Sequence, residues 1–584
     1  MTTGLGKGSL LAATVLTGIF CGSLIAATEA RAQDASPQIS SIERQIRALQ
    51  GQLNTMKRGM AKRDADVRAA RAEAAAANRQ AMSVSERTTN SLGQPLAPRS
   101  LTAPPGYSVD IAGAGTIPKY GQYVYVNGVP TPVLSAGPKL KQGQFQLGAV
   151  RVTLGGFIAA ESIARSRNQT ADISSNFNSI PYASSPNYHT PEFRGTARQS
   201  RLSLLAEANP DSVTNLAAYF ETDFQGSGTS SNSNESNSYV LRQRQIYATY
   251  ARKDLDFYVL GGQSWSLLTT NKIGITPRQE NIPLTIDAQY VPGFSWARQA
   301  GLRFVKGFNH DEFDLGISFE SPQSQYFTGG NGTGSLSGTV DSSNLGVGVL
   351  NNTNNYSVDV APDVIVKGTA DPGWGHYEVY GLARFLHDHT SIVGSGRDNT
   401  VLAGGGGAAA ILPLIKGKLD LQGSFLAGEG IGRYGSGQIQ DATFSQTGAP
   451  VPLPEVIALV GLVGHPVKAV DLYGYVGTEQ ITHTKAFREG SRGFGYGSPL
   501  YNNRGCNIEQ PISATLALPC SANTSGITQG TVGAWWRFLK GYYGTMQTGV
   551  QYSYTRKAAF AGVGGSPSTD ENTVFFSFRY LPFQ

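Results

Sequence analysis

The feature that most constrains this chain is a period of two. From about residue 147 to residue 584, stretches of about ten residues alternate apolar with polar or small side chains. Leu216, Ala218 and Phe220 interleave with Tyr219 and Glu221, and Phe313, Leu315, Ile317 and Phe319 with Asp314, Ser318 and Glu320. Near the end, Val574, Phe576, Phe578 and Tyr580 interleave with Thr573, Ser577 and Arg579. Period two gives a strand one apolar face and one polar face. Roughly sixteen such segments follow one another, the first starting near residue 150 and the last near residue 571.

A soluble sandwich would alternate in the same way, with its apolar face inward. Connection lengths separate the two architectures. Long gaps fall near 166–196, 226–238, 267–297, 322–362, 389–401, 428–455, 480–529 and 558–570. Between them lie short turns such as Asn209-Pro210-Asp211, Arg252-Lys253-Asp254 and Lys416-Gly417. Long loops on one rim and tight turns on the other predict an all-β, antiparallel transmembrane β-barrel of about 16 strands over 147–584. Lipid offers no hydrogen-bond partners, so a spanning sheet must close on itself. About sixteen strands enclose an aqueous channel rather than a packed core.

Composition agrees. Of 584 residues 71 are Gly, only 15% are charged, and mean hydropathy is −0.20. One apolar run approaches the ~20 residues that a helical span needs, which excludes a polytopic helical membrane protein. That run, Leu10 to Ala27, follows Lys7 and precedes Ala30-Arg31-Ala32, and reads as a signal peptide over 1–32. Phe20 before Cys21 is too large for a lipoprotein cleavage site. Removing Lys7, Arg31 and Glu29 with it takes the net charge from +6 to +5, too little to suggest nucleic-acid binding.

Over 33–82, Ile39, Ile42, Ile46, Leu49, Leu53, Met56 and Met60 recur at alternating spacings of 3 and 4, a heptad seam. It predicts a short N-terminal coiled-coil helix, with isoleucines at both seam positions favouring trimers or tetramers. A single surface helix is the plainer alternative, because Arg63 and a run of alanines interrupt the seam. Residues 83–146 read as linker, with a hairpin expected around Asn127-Gly128. An even strand number places both ends of the barrel, and hence the coiled coil, on the short-turn, periplasmic side.

Several segments resemble Gram-negative outer-membrane porins, in particular the DcaP-like trimeric porins. They are Gly195-Thr-Ala-Arg-Gln-Ser-Arg-Leu-Ser-Leu204, Val259-Leu-Gly-Gly-Gln-Ser-Trp-Ser266, Ala361-Pro-Asp-Val-Ile-Val-Lys367 with Trp374-Gly-His-Tyr377, and Gly428-Glu-Gly-Ile-Gly-Arg-Tyr434. The resemblance implies homotrimers of 16-stranded barrels in the outer membrane, amid its lipid and lipopolysaccharide. It implies passive diffusion of small, often anionic solutes, and a third long loop, here about Leu267–Ala297, folded into the lumen. Such barrels usually end in an aromatic residue; here Phe583 is one place early.

If apolar residues face lipid, their neighbours line the pore. Arg198 or Arg201, Arg242, Arg244, Arg303 and Arg384 are then candidate pore-lining cations that attract anions. In the candidate constriction loop, Lys272, Arg278, Glu280 and Asp287 would supply a transverse field. The competing reading is that these arginines neutralise Glu161, Glu207, Glu221, Asp223 and Glu378 and stiffen the wall. Cys506 and Cys520, 14 apart in a loop-like stretch, suggest one disulfide after export, a contribution of about 3 kcal/mol by chain entropy. Nothing indicates an enzyme, cofactor or metal. Gly428-x-Gly430-x-Gly432 lacks a strand–helix frame, His387 and His389 lack further ligands, and no G-x-S-x-G occurs. The expected function is therefore a porin for small hydrophilic solutes. The rival is a structural anchor whose coiled coil tethers the envelope, with peptidoglycan as its partner.

Overall fold

The structure is a computed structural model, and it describes Gln50 and residues 123–126, 129–132, 140–227, 236–309, 312–328, 339–345, 355–511 and 517–584. The expected signal segment and the heptad repeat, Gln50 apart, lie outside the described residues. The chain forms two units, Met1–Ser135 and Ala136–Gln584. In the first, Tyr123–Val126 pairs antiparallel with Val129–Pro132, and Val126 opposite Val129 leaves two residues for the turn, as Asn127-Gly128 predicts.

The second unit is a closed antiparallel barrel. Its wall strands are β1 (Val150–Arg165), β2 in two pieces (Glu192–Thr196 and Arg201–Ala208), β3 (Thr214–Asp223) and β4 (Arg242–Arg252). Next come β5 (Phe257–Trp265), β6 (Arg298–Phe308), β7 (Phe313–Glu320), β8 (Asp363–Ala370) and β9 (His376–Ser391). Then follow β10 (Arg397–Ile415), β11 (Leu419–Glu429), β12 (Pro454–Val467) and β13 (Val470–Ile481). The last are β14 (Thr524–Gly541), β15 (Gly544–Ala559) and β16 (Ser568–Leu581). Each pairs with its sequence neighbour, and β16 closes on β1 from Thr573↔Arg165 to Tyr580↔Ile158. Sixteen strands close the wall, as the alternation predicts.

The two faces of β16 show why it closes. Val574, Phe576 and Phe578 are 46, 50 and 38% exposed on the outside, whereas Thr573, Phe575 and Ser577 are buried inside. An apolar outer belt on a sheet with no free edge is the surface that a bilayer demands. No helix among the described residues is long and apolar enough to cross a membrane.

Connections alternate as expected, but several long gaps are shorter than expected: Glu192–Thr196 lies within the gap expected at 166–196, and β14 and β16 begin at Thr524 and Ser568, inside those expected at 480–529 and 558–570. The gap expected at 389–401 is only residues 392–396, because β9 and β10 run to 16 and 19 residues and stay paired as far as Thr390↔Arg397. Polar residues at those strand ends, including His387, Asp388 and His389, hide the continuation from a periodicity argument.

Candidate functional site

The connection from β5 to β6, residues 266–297, crosses the barrel interior. Its first limb runs along β7–β9, where wall carboxylates accept its backbone N–H groups. Leu267 N donates to Glu320 (2.8 Å), Asn271 N to Glu378 (2.7 Å), Gly274 N to Asp371 (2.8 Å) and Ile275 N to Asp314 (2.6 Å). Asp371 lies in the tight turn between β8 and β9, so this limb reaches the short-turn end of the lumen. The loop then returns along the opposite wall. Asn281 donates to Gln422 on β11 (3.0 Å), Leu284 N meets the Tyr475 hydroxyl on β13 (3.3 Å), and Trp535 Nε1 on β14 donates to Leu284 O (2.8 Å). Ile286 N donates to Gln551 Oε1 on β15 (2.5 Å) and Gly293 N to Glu479 on β13 (2.8 Å).

Glycine makes the second docking possible. A Cβ at Gly477 would lie 1.8 Å from the Pro292 carbonyl, and Gly293, at φ +97°, approaches the Ala458 carbonyl equally closely. Loop backbone therefore lies flush on strand backbone, with no room for side chains between.

The candidate arginines divide between two kinds of place. Arg242 grips both oxygens of Asp223 (2.9 and 2.7 Å). Arg244, 1% exposed, binds Glu221 (2.7 Å), Asp223 (2.9 Å) and the Tyr290 hydroxyl of the inward loop (3.3 Å). A bulge opposite Glu221–Thr222 leaves Arg244 unopposed and shifts the alternation, so Arg242, Arg244, Gln245 and Tyr247 all turn inward. Arg201 stands 3.7 Å from Glu221. Arg303 is buried and donates to Trp265 O (2.6 Å), fixing the start of the loop.

Arg198 and Arg384 are loop clamps. Arg198 pairs with Asp172 (3.1 Å) and holds the Phe224 and Gly226 carbonyls (3.0 and 3.1 Å). Arg384, fully buried, binds Asp363 (3.1 Å), Asp441 (2.8 Å), Gly430 O (2.6 Å) and Gln323 O (2.8 Å). It thereby joins one wall strand to the connections 321–362 and 430–453.

Within the inward loop, Lys272 and Arg278 are exposed, Glu280 is half-buried and Asp287 is buried. Arg278 has φ +66°, a conformation uncommon without glycine, and its guanidinium lies 6.0 Å over the Tyr219 ring and 3.5 Å from the Tyr247 hydroxyl. Asp287 accepts N–H bonds from Ser175 (3.1 Å) and Gln289 (2.9 Å), and burial pushes its carboxyl, like that of Glu280, above the usual range.

Four residues were not singled out from the sequence as site candidates: Tyr290, Arg298, Lys367 and Arg579. Tyr290 sits mid-loop with nothing to mark it. Arg298 begins β6, where no alternation yet assigns a face. Lys367 and Glu378 form a fully buried pair (2.9 Å) across the turn between β8 and β9. Arg579 binds Glu161 (2.7 Å) across the β16–β1 closure. The last two pairs were legible in principle, because in antiparallel neighbours a turn or closure fixes which charges face each other.

Beside the loop lies a cavity of about 280 Å³ lined by Lys272, Asn281, Asp420, Gln422, His465 and Tyr475. His465 also lines a second cavity of about 510 Å³ at the short-turn rim, with Lys468, Arg537 and Lys540. Lys416, Lys418, Lys468 and Lys540 are all exposed on that sector of the rim. On the opposite rim the Cys506–Cys520 disulfide forms, with Cα atoms 4.7 Å apart, and Cys506 O accepts from Ser184 N (3.0 Å) in the connection 166–191.

No protein-family model and no curated protein matches the sequence. Among solved structures, the outer membrane channel DcaP of Acinetobacter baumannii is similar over 76% of this chain and all of that one, at 16% identity and a TM-score of 0.52. An anion-selective porin from Comamonas acidovorans covers 74% of this chain and 99% of its own at 9% identity and a TM-score of 0.39. Salmonella typhi OmpF in complex with daunomycin covers 75% and 99%, at 9% and 0.39. The closed barrel, its apolar belt and its likeness to the first of these structures give the chain the fold of a DcaP-like porin of the Gram-negative outer membrane.

Proposed function

We propose that this barrel is a passive channel for small hydrophilic solutes with a preference for anions, assembled as a homotrimer. One observation carries the reading. The inner wall's carboxylates Asp314, Glu320, Asp371, Glu378 and Glu479 are taken up by backbone N–H groups of the inward loop. Glu221 and Asp223 are taken up by arginines. The charges left facing water beside the loop and on the β10–β14 sector of the short-turn rim are basic, Lys272, Arg278, Lys416, Lys418, Lys468 and Lys540, while the exposed acids of that rim, Asp211, Asp254 and Asp256, lie on the β2–β5 sector. A cation-lined constriction draws anions in, and its exposure to water lets them leave. The pore-lining role falls to Arg201 and Arg242, which keep part of their side chains in the lumen. Arg198, Arg244, Arg303 and Arg384 shape the wall, and Lys272, Arg278 and Glu280 set the field at the loop. The segment 33–82 would register the trimer as a periplasmic coiled coil.

Planar-bilayer recording under a salt gradient tests this. Current steps in groups of three with a reversal potential favouring chloride are expected. Folded protein that carries no current would remove the channel reading. A potassium-favouring potential would remove the anion preference alone.

A further inference from the structure

We propose that the β11–β12 connection, residues 430–453, is a second constriction element, in which Arg433, Gln438 and Gln440 meet the solute and help set its size limit. The proposal rests on the channel reading and adds specificity-determining residues to it. The connection does not stay at the mouth. From residue 430 to residue 444 every residue is buried except Arg433, Gln438 and Gln440, which are half-buried. Three polar side chains partly open in a segment otherwise closed off are the ones that meet water. The segment is also zipped to the inward loop. Ser295 and Gly435 form an antiparallel bridge, Trp296 N donates to Tyr434 O (3.1 Å), and Ser436 N donates to Phe294 O (3.1 Å). Gln289 Nε2 donates to Ser436 O (2.7 Å), and the Ser436 hydroxyl donates to Gln289 O.

The zipped pair lies across the barrel. At one end Glu479 of β13 holds both segments with a single oxygen: its Oε1 accepts from Gly293 N (2.8 Å) and from Gly437 N (2.7 Å). At the other end the inward loop runs into Arg298, the first residue of β6. There the Tyr434 hydroxyl donates to Asp363 of β8 (2.8 Å) and accepts from Gln299 of β6 (2.9 Å). β6 and β13 are seven strands apart in a wall of sixteen, so a two-stranded bar joins nearly opposite walls. Backbone inside a lumen needs partners for its N–H and C=O groups, and here each segment finds them on the other and on one carboxylate. Glycine lets that carboxylate in: a Cβ at Gly435 would lie 2.3 Å from Glu479 Oε2, and one at Gly437 2.8 Å. Arg384 and Glu455 fix the near end, through Gly430 O (2.6 Å) and Ile431 N (2.5 Å). Because Glu479 serves both segments, neither shifts without the other, and the width of the passage belongs to the pair.

The test is thiol modification of the full-length protein in planar bilayers, for wild type, Gln438→Cys, Gln440→Cys and, as a control, Gln446→Cys at the exposed end of the same connection. The glutamines are chosen because replacing them alters no charge, and Cys506 and Cys520 are already tied up in their disulfide. Heat-shifted gel mobility verifies that each barrel is folded. Sulfonatoethyl methanethiosulfonate should lower the single-channel potassium chloride current of Gln438→Cys and Gln440→Cys and leave that of the control and of wild type unchanged. Glu479→Ala, which releases both segments, should raise the conductance and let larger sugars through in liposome swelling. Folded, conducting Gln438→Cys and Gln440→Cys whose current is unmoved, whether mass spectrometry finds the thiol modified or unreacted, would overturn the proposal. If neither cysteine variant folds, Glu479→Ala decides, and an unchanged conductance and sugar limit overturn it. A wild type that carries no current removes the channel reading and this one with it, whereas a conducting wild type with insensitive cysteines removes this one alone.

Discussion

Two walls of the same barrel meet the inward loop in different chemical terms. On β2–β6 the contacts are charged, with Arg244 reaching Tyr290 while holding Glu221 and Asp223. On β11–β15 they are mostly neutral: amides of Gln422 and Gln551, the Tyr475 hydroxyl, the Trp535 indole and the bare backbone at Gly477. Glu479 is the acidic exception. The first wall sets the electrostatics of the lumen and the second sets where the loop lies. Selectivity and pore size should therefore respond to different substitutions.

Arg244→Gln should have the largest effect. Removing one member of a buried charge cluster leaves Glu221 and Asp223 short of a partner, a loss of about 3–5 kcal/mol, readable by denaturant unfolding in detergent micelles. A loss under ~1 kcal/mol would mean that water already screens this wall. Gly477→Ala on the other wall comes next. Its methyl group must displace Pro292, costing about 1–3 kcal/mol and lifting the returning limb. Single-channel conductance should rise with the reversal potential unchanged, and an unchanged conductance would separate loop docking from pore size. Trp535→Phe removes only the bond to Leu284 O, about 1 kcal/mol, and should increase open-channel noise without a new mean current.

The smallest effect is that of pH. Burial raises the carboxyls of Asp287 and Glu280, so each binds its proton more tightly with the loop in place than free. Their contribution to docking is complete below the ordinary carboxylate pKa of about 4 and is lost as pH rises through the raised values. Acidification from neutrality should therefore quieten loop-derived noise. Asp287→Asn, which is neutral throughout, should abolish most of that pH dependence.

The strand number was legible because alternation is enforced by lipid at every wall position, and no local contact overrides it. The hairpin at 123–132 followed from Asn127-Gly128, and the disulfide from spacing and expected compartment. The inner surface was far less legible. A period of two identifies inward residues but not their partners, which lie on connections with no periodicity of their own. Arg384 illustrates this: its sequence position says only that it faces inward, while Asp441 and the Gly430 and Gln323 carbonyls arrive from two different connections. The bulge at Arg244 defeats simple alternation altogether, since it turns two consecutive residues to the same side.

The long β9–β10 hairpin has a consequence for the cell's outline. A tilted strand needs about 9–11 residues to cross the hydrocarbon layer. With 16 and 19 residues, β9 and β10 have at least five to spare on the long-loop side, a mast roughly 15 Å or more tall. Its tip carries Val393, fully exposed, beside Gly394 in a left-handed turn. A short epitope inserted at Gly394 should leave the barrel intact and be reachable by antibody on whole cells, because anything that approaches this stretch of the cell surface would meet that tip before it met the mouth of the barrel.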